Sequence, residues 1–209
     1  MVIVISHPGD ALTDSAGEAA LINDLFDEGL ELFHLRKPEA SAEEVAALIR
    51  QINPAYRSRI ALHQHHELAS AFAIRRLHFT EALRAKTDRQ RLMELRRSGI
   101  CLSTSVHEAE EYENLSSCFD YMLFGPVFNS ISKMGYNASL PDGFVFPATS
   151  PRVIAIGGIT PDNIRKVLKM GFSGVAALGV IWQEPDKSLR QFRNLRAAWK
   201  KETRRNNYA

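Results

Sequence analysis

One alternation runs the length of this chain and constrains its fold more than anything else. A short apolar run is followed by a stretch with helical spacing, and the pair recurs from end to end. The apolar runs are Val2–Ser6, "LFHLRK" ending at Lys37, Ile60–His63, Leu77–Thr80, Cys101–Ser105, Tyr121–Gly125, "VIAIG" from Val153 and Gly174–Gly179. Helical spacing follows over Ala16–Glu28, Ala42–Ile52, a short stretch from Glu67, Asp88–Arg97, His107–Asn114, the segment after Thr160, and a last one from about Ser188. Strands separated by helices cannot pair through tight hairpins, so they pair in parallel. Eight such units predict a closed, compact single-domain (β/α)8 barrel over residues 1–209, the last few being a frayed basic tail. An open doubly wound sheet is the alternative, and it generally needs fewer strands.

One unit breaks the pattern. After Gly125, "NSISKMGYNASLPDGFVFPATSP" has no helical period, so the sixth helix is expected to be short or missing. That would leave barrel wall uncovered for a second subunit, and a homo-oligomer is the expectation. A net charge of +2 on 209 residues gives no reason to expect nucleic acid or a membrane surface. The two cysteines, Cys101 and Cys118, have neither paired nor metal-like spacing. The apolar start "MVIVIS" is too short for the apolar core of a signal peptide. A cytoplasmic protein with reduced thiols is expected.

In a barrel, chemistry collects at the carboxyl ends of the strands. Here those ends are His34-Leu35-Arg36, His63-Gln64, Thr80-Glu81, Ser103-Thr104-Ser105, Gly125-Pro126, Gly157-Gly158 and Leu178-Gly179. Two adjacent glycines ahead of Thr160-Pro161-Asp162 suit either a phosphate cradle at a helix start or a bare βα turn. Glycine recurs in the eighth loop, and the last two loops commonly make a phosphate site in such barrels, which favours the cradle.

Four blocks, in order, resemble the thiamine-phosphate synthase family, which includes the thiazole tautomerases: "FHLRK", "STSVHEAEE", "FDYMLFGPVFNSISK" and "VIAIGGITPDN…GFSGVAALGVI". The resemblance implies a barrel that handles the phosphorylated thiazole half of thiamin. The synthase joins it to a pyrimidine pyrophosphate with Mg²⁺; the tautomerase moves a proton on a carboxythiazole phosphate. It also implies that Gly157, Gly158 and the backbone around Leu178 and Gly179 hold the thiazole phosphate. Ser130, Ser132 and Lys133 match the loop that closes over anionic groups, and Arg36 matches a strand-two arginine suited to two-point contact with an oxyanion.

The departures from the family pattern are informative. Where synthases carry Gln-x-Arg-x-Lys on strand two, this chain reads His34-Leu35-Arg36-Lys37-Pro38, and Lys37 falls on the opposite face from Arg36. The Mg²⁺-binding acids after strands three and four are replaced by His63-Gln64 and the surroundings of Thr80-Glu81. Mg²⁺ wants oxygen ligands, chiefly carboxylates, so coupling chemistry is disfavoured. His107 stands where tautomerases carry an acid–base histidine, although it also begins a helix and occurs in some synthases. The reading favoured is metal-independent tautomerisation, with no cofactor, through His107. A divergent synthase with Mg²⁺ held through water by Glu81 and Gln64, and a non-catalytic binder of phosphorylated thiazole, are the alternatives. "HQHHE", from His63 to Glu67, is too tightly spaced on an irregular loop for its histidines to share one ion, so no metal ligands are expected there. His63 and His34 are possible substrate contacts, and the barrel interior is the favoured place for His34 and His78, which lie on strands.

Overall fold

The computed structural model describes residues 1–9, 15–128, 143–147 and 151–206. Eight parallel strands close a barrel in sequence order: β1 (Val2–Ile5), β2 (Leu32–Leu35), β3 (Ile60–Leu62), β4 (Arg76–Phe79), β5 (Cys101–Val106), β6 (Tyr121–Phe124), β7 (Arg152–Ile156) and β8 (Gly174–Ala177), which pairs back to β1. Around it stand α1 (Ser15–Asp27), α2 (Ala42–Gln51), α3 (Leu68–Ala71), α4 (Glu81–Ala85), α5 (Arg89–Arg97), α6 (Ala109–Leu115), α7 (Ile164–Lys169), α8 (Gly179–Trp182) and α9 (Ser188–Asn206). The expected β/α barrel is therefore present. Two short helices, α4 and α8, lie in segments where too few residues intervene to show a period. α9 continues through Arg205, so most of the basic run is helical; residues 207–209 lie outside the described residues.

The strand period of two divides the apolar residues into two cores. One set faces the helices and includes Val2, Val4, Phe33, Leu35, Ile60, Leu62 and Phe124. The other fills the lumen with Ile3, Ile5, Leu32, Ala61, Tyr121, Leu123, Ile154 and Ala176. The same alternation puts His34, two residues after Leu32, in the lumen, and sends Lys37 outward. Lys37 is buried, with Nζ 2.6 Å from Glu18 of α1 and 2.9 Å from the Gly9 carbonyl. It is a wall-to-helix ion pair and is not on the same face as Arg36.

Beyond β6 the expected exposed wall is not found. No helix occurs among the described residues between β6 and β7, but Phe146 is buried and takes that place. Its ring meets Phe124 at 5.1 Å, Phe172 at 5.0 Å and Tyr112 at 5.3 Å, and its N–H donates to the Met170 carbonyl at 2.9 Å. Gly171 makes this possible. It has φ +81°, and a Cβ there would lie 2.3 Å from the Phe146 carbonyl oxygen. Gly171→Ala is expected to lower stability by about 2 kcal/mol or more, from the left-handed backbone and the overpacking together. A denaturant titration checks it; an unchanged midpoint would mean that Phe146 is not a fixed part of the wall.

Candidate functional site at the carboxyl ends of the strands

The rim is built from the fifth to seventh loops outward. β5 delivers His107 one residue past its end, and two groups fix that residue. Its backbone N–H, with that of Glu108, donates to Glu111 of α6, at 2.8 and 3.3 Å. Its ring Nδ1 lies 2.5 Å from the Gly125 carbonyl, an acceptor, so Nδ1 carries the proton and Nε2 keeps a lone pair. Glu111 is itself held by Arg84, whose guanidinium also donates to Thr104 Oγ1 and the Ser105 carbonyl. Arg84 and Glu111 were not singled out in the sequence. Only the register of β4 and β5 brings them together.

Gly125 passes through a cis peptide to Pro126, and the chain then runs beside β7. Val127 donates to the Ile156 carbonyl at 2.9 Å and Phe128 to that of Gly157 at 3.2 Å. Both rim glycines are left-handed, Gly157 at φ +93° and Gly158 at +63°. A Cβ on Gly157 would come within 2.8 Å of Pro126, so glycine here also permits two loops to touch. Asn163 closes the turn: its Oδ1 accepts from Thr160 at 3.0 Å and its Nδ2 donates to the Gly158 carbonyl at 2.8 Å. Among the described residues, no hydrogen-bond partner is found for the Gly157 and Gly158 N–H groups. In the eighth loop, Leu178 precedes α8, which starts at Gly179 and is pinned to β1 by the Trp182 indole donating to the Ile5 carbonyl at 2.6 Å. The two glycine turns therefore sit on adjacent strands.

Arg36 is held by its backbone: its N–H donates to Ser6 Oγ at 2.7 Å, and Ser6 returns a bond to the Arg36 carbonyl. Among the described residues no carboxylate pairs with its guanidinium. Gln64 follows His63, and its buried Nε2 has no partner among the described residues. Ser130, Ser132 and Lys133 lie outside the described residues.

Below the rim the lumen is histidine-rich. His34 of β2, His63 just past β3 and His78 of β4 are buried together, with one ring nitrogen of each within 4.8 Å of the others. His34 Nδ1 is 2.8 Å from His63 Nε2, and His34 Nε2 is 2.8 Å from the Tyr121 hydroxyl. His78 meets Ser103 Oγ at 3.0 Å and Ser105 Oγ at 3.2 Å, and its ring stacks on His63 at 3.9 Å. Burial holds all three below the ordinary histidine range, His34 down to about 3; the Arg76 charge adds to this for His34, His78, His34 and Arg36 add to it for His63, and His34, His66 and Arg36 add to it for His78. They are neutral imidazoles. His34 and His63 are thus interior residues joined to each other, and His78 completes a group that spacing along the chain did not show. The bond of His65 to the Ala40 carbonyl and of His66 to the Leu62 carbonyl hold those two rings elsewhere.

The oxygen ligands of an Mg²⁺ site are not assembled at these strand ends. His63 is engaged with His34, Thr80 Oγ1 accepts from Leu83 as the cap of α4, and Glu81 is exposed as the first residue of that helix. The donors present do not fit a hard cation.

A family model described as thiamine monophosphate synthase matches residues 2–181. The chain belongs to the thiamine monophosphate synthase family. That family is one of enzymes, and its place is thiamin biosynthesis. The thiamine-phosphate synthase of Leuconostoc citreum is 27% identical over 199 residues, covering 88% of this chain and 91% of the relative. That of Salinibacter ruber is 42% identical over 97 residues, 44% of this chain and 41% of its own. The thiamine phosphate pyrophosphorylase structure from Pyrococcus furiosus superposes with a TM-score of 0.73 at 18% identity, covering 96% of both chains. The one from Bacteroides thetaiotaomicron gives 0.70 at 24% identity, over 94% and 96%. No helix among the described residues is long and apolar enough to cross a membrane.

Proposed function

We propose that this member of the thiamine monophosphate synthase family isomerises a carboxythiazole phosphate by proton transfer and does not couple it to a pyrimidine. The observation that carries the reading is the contrast at the rim. The groups suited to a phosphorylated heterocycle are in place, whereas the ends of β3 and β4 hold imidazoles, an amide and a helix cap where a metal-assisted pyrophosphate departure would need paired carboxylates. The amides of Gly157 and Gly158, unpartnered among the described residues, with the start of α8 at Gly179 beside Leu178, would take the phosphate. The Arg36 guanidinium, unpaired among the described residues, and the Gln64 amide supply donors for the carboxylate.

His107 supplies the proton step. Its Nδ1–H is committed to the Gly125 carbonyl, so Nε2 accepts a proton from substrate carbon and the resulting imidazolium stays oriented. Returning that proton to a second carbon completes an isomerisation with no net proton change. The substrate's own carboxylate is a second relay.

The deciding measurement mixes purified protein with each thiazole isomer, with and without pyrimidine pyrophosphate and Mg²⁺. Interconversion of the isomers at the same rate in both conditions is expected. Mg²⁺-dependent release of pyrophosphate would replace this reading with the synthase one, and saturable binding without turnover would replace it with that of a binding protein.

A further inference from the structure

We infer that His34, His63 and His78 form a binding site for a borderline divalent cation of the Zn²⁺ class, inside the barrel and beneath the rim. Three neutral imidazoles from three successive strands converge in a buried space, with ligand-competent nitrogens all within 4.8 Å of one another. A tetrahedral ion with bonds of about 2.1 Å to nitrogen needs its ligand atoms about 3.4 Å apart. The observed 2.8 Å between His34 Nδ1 and His63 Nε2, and the 4.8 Å limit for the set, lie on either side of that value. Small ring rotations bring the three to one point, turning the stacked His63 and His78 rings so that their lone pairs meet.

The surroundings agree with ligation. A metal-binding imidazole is generally oriented by a hydrogen bond at its other nitrogen. His34 has the Tyr121 hydroxyl there; His78 is held by Ser103 at Nδ1 and Ser105 at Nε2, and one of these serine contacts gives way to the ion while the other orients the ring. Three nitrogens leave a fourth position open, the arrangement of a site that also takes water or a ligand atom. Imidazole donors select Zn²⁺, Cu²⁺, Ni²⁺ or Fe²⁺ over Mg²⁺, so this site is chemically distinct from the family's oxygen-ligated one. The inference does not depend on the reaction proposed for the rim, since His107 stands on another loop.

The test uses the full chain without a histidine tag. After chelator treatment and its removal, Zn²⁺ titrated against a competing chromophoric chelator is expected to bind one ion per chain. Co²⁺ is expected to give the intense visible absorption of tetrahedral coordination. His78→Gln should weaken Zn²⁺ binding by about 100-fold or more and Tyr121→Phe by about 10-fold, while His65→Ala leaves it unchanged. Nitrogen-15 imidazole spectra of the unmutated protein give a second reading that needs no variant: on Zn²⁺ addition, signals of three of the seven histidines should move to metal-bound values. No stoichiometric binding, unmoved imidazole signals, or full affinity in a folded His78→Gln protein would each overturn the site.

Discussion

His107→Asn is expected to cut the isomerisation rate by about 10²–10⁴-fold, the usual contribution of a general acid–base group. The amide of asparagine still offers a donor toward the Gly125 carbonyl but cannot take up a proton, so the loss falls on turnover and leaves substrate affinity nearly intact. The side chain is exposed, so the fold should be unaffected, and an unchanged thermal midpoint verifies that. Steady-state kinetics separate the two effects: a fall in kcat with a steady KM assigns the proton step to His107. A variant as fast as the parent would remove that role and move attention to the lumen histidines.

Acidifying the chelator-treated protein from pH 7 to pH 5 should remove about 2 kcal/mol of stability through His34 alone, with His63 and His78 acting in the same direction. In the unfolded chain these imidazoles take up protons near pH 6.5, whereas in the barrel burial keeps them neutral, His34 to about pH 3. Their contribution is complete above pH 6.5 and is lost progressively as the pH falls from there toward the folded values. Losing that much is serious for a domain whose total is roughly 5–15 kcal/mol. Urea titrations at successive pH values measure it. The single variant His78→Gln should show a shallower decline, and a wild-type curve flat between pH 7 and pH 5 would mean that the lumen admits water and charge.

Much of the architecture could be read from residue order because barrel strands alternate so regularly with helices. Val2–Ile5, Leu32–Leu35 and Arg152–Ile156 are short apolar runs followed by helical spacing, which leaves few topologies. The outward direction of Lys37 followed from the same period of two, and its ion pair with Glu18 agrees. The histidine group was hidden for a different reason. Its members stand 29 and 15 positions apart, separated by helices, and meet only through the β2–β3–β4 register. A clue was present: His34 and His78 each occupy an inward position, and His63 lies two residues past inward-facing Ala61. The short or missing sixth helix was legible, but the covering of the wall was not, because Phe144 and Phe146 sit among prolines and glycines, where no period reveals that Phe146 packs against the wall.

The contact of Gly157 with Pro126, together with the bonds from Val127 and Phe128 to Ile156 and Gly157, makes the sixth and seventh rim segments a single mechanical unit. Anyone transplanting the glycine turn to another barrel would have to move its neighbour with it. Widening the rim at this point would likewise mean remodelling both segments at once.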